Sequence, residues 1–93
     1  MIWDAKRPEE RDVFAIDLSR RLRLPDGTQD AIASVVWAVP PGLVLHATEI
    51  SGVLAMADIS GGVAGTTYDI DVAVQTNGLR QLLIRVRLPV RSA

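Results

Sequence analysis

The chain has ninety-three residues, with ten basic and eleven acidic side chains, one histidine and no cysteine. That length holds one core, enough to bury roughly 60–68% of the surface of the unfolded chain, and 48% apolar with 23% charged residues is an ordinary globular composition. A formal net charge of −1 argues against nucleic-acid binding by bulk electrostatics, and the lack of cysteine excludes disulfide staples, thiolate metal sites and cysteine nucleophiles.

Residues 1–11 read as an extended arm. Charges of both signs surround Pro8 and no period holds. No apolar stretch of about 7–15 residues follows Met1, so no secretory leader is expected. Trp3 has no local apolar neighbours to join beyond Ile2. Two readings stay open for it: folding back onto the domain edge, or anchoring the arm on a neighbouring chain.

Residues 12–93 read as one β-domain. Phe14, Ile16 and Leu18 alternate with Val13, Ala15 and Asp17, and Leu22 and Leu24 extend the apolar face between Arg21 and Arg23. Pro25-Asp26-Gly27 is a turn. Ala31–Val39 is the next strand, bears Trp37, and stops at Pro40-Pro41-Gly42. Ser34 interrupts this most apolar stretch, which is far short of the roughly 18 residues of a spanning helix. Leu43–His46, Glu49–Ile50 and Val53–Ile59 are shorter strand candidates, and Ser60–Gly65 is a loop.

The clearest alternation follows. Tyr68, Ile70, Val72 and Val74 face one way on one strand, and Leu82, Ile84, Val86, Leu88 and Val90 on its return. A two-residue Asn77-Gly78 loop would set Ile70 against Arg85, so a three-residue Thr76-Asn77-Gly78 loop is favoured. It pairs Ile70 with Ile84 and Asp69 with Arg85, and puts Gly78 at the left-handed position.

About seven short strands separated by turns predict an all-β sandwich of the immunoglobulin or fibronectin type III kind. Val36-Trp37-Ala38-Val39-Pro40-Pro41-Gly42 is similar to the tryptophan strand of fibronectin type III domains, and Gly65–Val72 to a tyrosine corner. Trp37, Tyr68, Phe14, Ile70 and Ile84 are therefore expected in the core.

Motifs that suggest chemistry are weak, and no enzyme is expected. Gly61-Gly62-Val63-Ala64-Gly65 lacks the lysine and the helix of a phosphate loop. His46 with Glu49 and Ser51 would make a hydrolytic set only by co-presence, without a nucleophile elbow. One imidazole does not make a usual zinc site. Asp69 and Asp71 share a face but supply too few oxygens for calcium. No catalytic residue, metal or cofactor is expected, nor a small-molecule substrate. Nine of the ten basic residues are arginine, and Arg20, Arg21 and Arg23 cluster. Arginine suits protein contacts through bidentate and stacking geometry, so these three, with Trp3, Lys6 and Arg7, are the candidate interface residues.

Several of these features also occur in order in one family of small virion proteins. They are Trp3 and Lys6-Arg7-Pro8-Glu9-Glu10, Phe14-Ala15-Ile16-Asp17-Leu18, Ile32-Ala33-Ser34 leading to Trp37-Ala38-Val39-Pro40 and Gly42-Leu43, Ser60–Tyr68, and Gly78-Leu79-Arg80 before a basic last strand. In this the chain resembles the fibre–tail adaptors of tailed bacteriophages, departing at Leu18, where an aromatic is expected, and at the inserted Leu79. The resemblance implies a non-enzymatic virion component, assembled in the host cytoplasm, that joins tail or neck proteins to fibres in a symmetric multi-copy assembly, without nucleic acid or membrane. A capsid decoration or head–tail connector protein is the alternative. A carbohydrate- or surface-binding module is disfavoured, because only four aromatics exist and Trp37 and Tyr68 are assigned to the core.

Overall fold

A computed structural model describes residues 2–91. Its elements in chain order are β1 (Arg11–Asp17), α1 (Ser19–Leu22), β2 (Ile32–Ala38), β3 (Leu43–Ser51), β4 (Leu54–Gly61), β5 (Thr67–Thr76) and β6 (Gln81–Pro89). They form two three-stranded antiparallel sheets, in the orders β1-β4-β3 and β2-β5-β6. Period-two alternation sends one side of each strand inward. Ile16, Ala55, Ala57 and Ile59 from one sheet and Ile70, Val72, Val74, Val86 and Leu88 from the other are all at most 1% exposed. Burial of each valine, leucine or isoleucine among them stabilises by about 1.5–3 kcal/mol. Phe14, Trp37 and Tyr68 are half-buried against this cluster, and Ile84 belongs to it.

The described residues hold six strands rather than about seven, and one segment expected to continue a strand face is helical. Leu43–His46 and Glu49–Ile50 are parts of one strand, β3, which continues across a register shift between Leu45 and Ala47. The segment after Asp17 is a helical turn and not more strand. The Asp17 carboxylate accepts the Ser19 N–H at 2.9 Å, and the Leu22 N–H donates to the Leu18 carbonyl at 2.9 Å. Leu18 and Leu22 are four residues apart, which one helical turn places on the same side; both are buried, at 1% and 0% exposure.

The β5–β6 hairpin keeps the expected faces but slides by two residues. Ile70 pairs with Val86, Val72 with Ile84 and Val74 with Leu82. The expected register set Asp71 against Leu83 and left Asp69–Arg85 as the one charge pair. The observed register pairs Asp71 with Arg85, Asp69 with Arg87 and Ala73 with Leu83. The slide also replaces an inner-face Val74–Arg80 pair by Val74–Leu82, so the cross-strand pairs of both faces favour the observed register. The Arg85 Nε lies 2.8 Å from Asp71 Oδ1, and Arg87 Nε 3.5 Å from Asp69 Oδ1. The bond from Arg85 holds the Asp71 carboxyl below its usual range.

The turn is Asn77-Gly78-Leu79, closed by the Thr76 N–H on the Arg80 carbonyl at 3.0 Å. Asp30 anchors it from outside the hairpin, accepting the Gly78 N–H at 2.9 Å and pairing with Arg80 at 3.3 Å. The Thr76 hydroxyl, with these donors and the Ala31 N–H, holds the Asp30 carboxyl down at about 2. The left-handed position belongs to Leu79, at φ 63°, and not to Gly78; the Leu79 side chain is 86% exposed. Leu79→Gly is therefore expected to stabilise the domain by about 0.5–1 kcal/mol, since the cost of a side chain in this conformation exceeds the added freedom of glycine in the unfolded chain. A denaturation midpoint that fails to rise would contradict this.

The glycine-rich segment after β4 packs around Tyr68. The Tyr68 hydroxyl accepts the Val63 N–H at 2.9 Å, five residues upstream. Gly62 sits at φ 102°, where a Cβ would meet Val90 Cγ2 at 2.7 Å and the Tyr68 ring at 3.4 Å. At Gly42, φ 101°, a Cβ would lie 3.0 Å from the Tyr68 hydroxyl. Both positions require glycine for conformation and for space.

Candidate interaction surfaces

Residues 2–6 lie along the outer edge of β6. Ile2 bridges Arg87 and Lys6 bridges Val90, both parallel. The Trp3 N–H donates to the Arg87 carbonyl at 2.9 Å, the Lys6 N–H to the Pro89 carbonyl at 3.1 Å, and the Arg91 N–H to the Lys6 carbonyl at 2.9 Å. The segment satisfies backbone groups that an edge strand otherwise leaves open.

Two side chains fasten it. Trp3 stacks on Phe14 of β1, with ring centroids 4.9 Å apart and planes inclined 23°, and lies 6.1 Å from Trp37 of β2. Its Nε1 donates to the Ala15 carbonyl at 3.0 Å. Trp3 thus touches both sheets from the terminal segment. Lys6 points inward and is 3% exposed. Its ammonium donates to the carbonyl of Arg7 at 2.6 Å and to that of Gly61. Arg7 is exposed, and its N–H donates to Glu10 Oε1 at 2.7 Å.

Arg20, Arg21 and Arg23 are exposed where α1 runs into a small turn. Arg23 bridges Gln29, and the Leu24 N–H donates to the Thr28 carbonyl at 2.8 Å across Pro25-Asp26-Gly27. Ser19, Arg20, Arg23 and Gln29 line an open depression beside this turn. Among the described residues, Arg11, Arg80, Arg85 and Arg87 each pair with an aspartate, whereas Arg20, Arg21 and Arg23 have no carboxylate within ion-pair distance. The three therefore offer donors to a partner without first breaking an internal pair. Arg20, Arg21 and Arg23 lie on α1 and its turn, and Trp3 and Lys6 on the β6 edge; for Trp3 this is the fold-back reading that the sequence leaves open, whereas a lysine in a charged segment carries no local sign of burial.

The outer faces of the sheets hold the remaining polar features. His46 Nε2 lies 2.6 Å from the Ser60 hydroxyl across the β3 irregularity, so its neighbour is Ser60 and not Ser51, which pairs with Leu54. Arg11 binds Asp58 through both carboxylate oxygens, holding that carboxyl below its usual range. On the opposite sheet, Val36, Ala73 and Leu83 are register partners in one row across all three strands. Sequence alternation places Leu83 outward, but only the register shows that Val36 joins it. Among the described residues no three His, Asp or Glu side chains converge on a metal-sized site, and no helix is long and apolar enough to cross a membrane.

The model of one protein family, described as podophage GP4 fiber-tail adaptor protein gp77, matches residues 6–89. A search of curated proteins returned no match.

Proposed function

The chain belongs to the podophage GP4 fiber-tail adaptor family, and from that premise we propose that it joins tail or neck proteins to tail fibres as a non-enzymatic part of the virion. The observation that carries the reading is the family match over residues 6–89, nearly the whole chain. The adaptor works by docking: rigid sheets position loops and a terminal segment against other virion proteins. Its partners are tail, neck or fibre proteins in a symmetric multi-copy particle, without nucleic acid, and it assembles in the host cytoplasm.

The scaffold is an immunoglobulin-like sandwich. Supporting this, the orders β1-β4-β3 and β2-β5-β6 match strands B-E-D and C-F-G of an immunoglobulin domain lacking its first strand. Trp37 then falls on the strand that carries the core tryptophan, and the Tyr68 bond to the Val63 N–H corresponds to the tyrosine corner.

Arg20, Arg21 and Arg23 are the main contact residues, and the terminal segment, tied to its own domain through residues 2–6, reaches neighbours through the exposed Arg7. Support comes from the exposed, unpaired arginines around the Ser19–Gln29 depression. Reversing Arg20, Arg21 and Arg23 together to glutamate is expected to leave thermal unfolding unchanged and to cut incorporation into particles at least ~10-fold, because like charges replace complementary ones across the contact. Complementation of a phage lacking the protein, with particle content quantified, measures it. Undiminished incorporation would remove these residues from the interface.

A further inference from the structure

The outer face of the β2-β5-β6 sheet carries an apolar row that the domain leaves uncovered. Val36 is 66% exposed and Leu83 79%, with Ala73 between them. One flanking row is Ser34, Gln75 and Gln81; the other is Ala38, Asp71 and Arg85. Shallow depressions lie on both sides of the row. An apolar centre with a polar rim is the anatomy of a contact surface.

We propose that this face is a two-fold contact between two copies of the chain, with the Val36–Ala73–Leu83 row lying along the axis. A two-fold contact must be complementary to itself. An axis along the row superposes equivalent strands of the two copies and exchanges the flanking rows. The aliphatic side chains then meet each other. Asp71 faces the second copy's Gln75, Arg85 faces its Gln81, and Ala38 faces its Ser34. A glutamine amide donates to a carboxylate and accepts from a guanidinium, so both charged groups find partners. The other in-plane axis, along β5, would stack Asp71 on Asp71 and Asp69 on Asp69, which like-charge repulsion disfavours. Of these two axes, the charge pattern selects the one along the row.

The contact is small. Three strands spaced about 4.8 Å apart and three or four rows deep cover on the order of 300 Å² per copy, against about 800 Å² in a stable interface. It is a weak contact that becomes effective when many copies are held together, at effective concentrations on the order of millimolar. The proposal stands on the face itself and goes beyond the adaptor reading.

Sedimentation equilibrium of the full chain from about 10 µM to 1 mM tests it, a range that brackets a contact of this size. Monomer–dimer exchange is expected in the upper part of the range. Leu83→Asp should weaken it at least ~10-fold, with a circular dichroism melt showing that the exposed substitution leaves the fold intact. Gln81→Glu, which puts a carboxylate opposite Arg85 of the second copy, should tighten it by ~3-fold or more, and Gln75→Glu, opposite Asp71, should loosen it. A chain that stays monomeric throughout overturns the proposal, as does association insensitive to Leu83→Asp. Association that Gln81→Glu fails to tighten overturns the arrangement. A monomeric chain whose Leu83→Asp variant no longer enters particles would assign the face to a different virion protein, overturning the two-fold contact while leaving the adaptor reading standing.

Discussion

Replacing Trp3 by alanine is expected to destabilise the isolated domain by about 2–4 kcal/mol, in the lower to middle range for a large aromatic because the side chain is only half-buried. The loss has three sources. The stack on Phe14 at 4.9 Å goes, as does the approach to Trp37 at 6.1 Å. The Nε1 bond to the Ala15 carbonyl goes with them. For a domain of this size, each kcal/mol shifts the melting midpoint by about 4–8 °C, so a thermal melt resolves the change. Trp3→Phe should keep most of the stacking and lose the indole bond, costing about 1 kcal/mol. The outcome separates the two roles that the sequence leaves open. An anchor reserved for a partner would give an unchanged melt and lost particle incorporation. A side chain serving its own fold gives the reverse order of effects, with stability failing first.

The ease of reading each part of this chain follows from how far its interactions reach along it. The faces of β5 and β6 are legible because alternation is local: Ile70, Val72 and Val74 point inward in any register that respects the pleat. The register itself is not local. It depends on how many cross-strand pairs are satisfied at once, and counting Asp69 with Arg85 alone gives a hairpin two residues away from the one that also pairs Asp71. The turn at α1 is hidden by ambiguity of period, since Leu18 and Leu22 fit both a strand face and a helical turn. The arginine cluster at 20, 21 and 23 is plain in the sequence, and its exposure goes with a segment that turns its leucines inward. The partners of Trp3 and Lys6 are the opaque part. The two residues have Asp4, Ala5 and Arg7 as neighbours in sequence, and their partners lie far along the chain, at Ala15, Gly61, Arg87 and Pro89. A lysine in a charged terminal segment looks like a solvated charge until the fold supplies two carbonyls for it.

Lys6→Ala is expected to cost about 2–4 kcal/mol, combining a lost side-chain stem with buried carbonyls that lose a charged donor. The ammonium is 3% exposed as part of its residue and binds the Arg7 and Gly61 carbonyls. Burying an unpaired cation carries a desolvation cost that offsets part of these charge-assisted bonds. Lys6→Met removes that cost with the charge and keeps the aliphatic stem, so it should be the milder change, by about 1–2 kcal/mol. A Lys6 that reached solvent to meet a partner would leave the melt of the isolated chain unmoved by either change. The same variants report on the terminal segment. The N–H groups of Trp3, Lys6 and Arg91 donate within the pairing between this segment and the end of β6, and release of the segment should speed their hydrogen exchange while β5 amides stay protected. Trp3 and Lys6 hold one short segment, so either loss alone frees much of what the other binds. Their double variant should therefore cost less than the sum of the two single ones, by on the order of 1 kcal/mol. Strict additivity would mean instead that the segment stays in place through its backbone bonds to β6, with each side chain acting on its own.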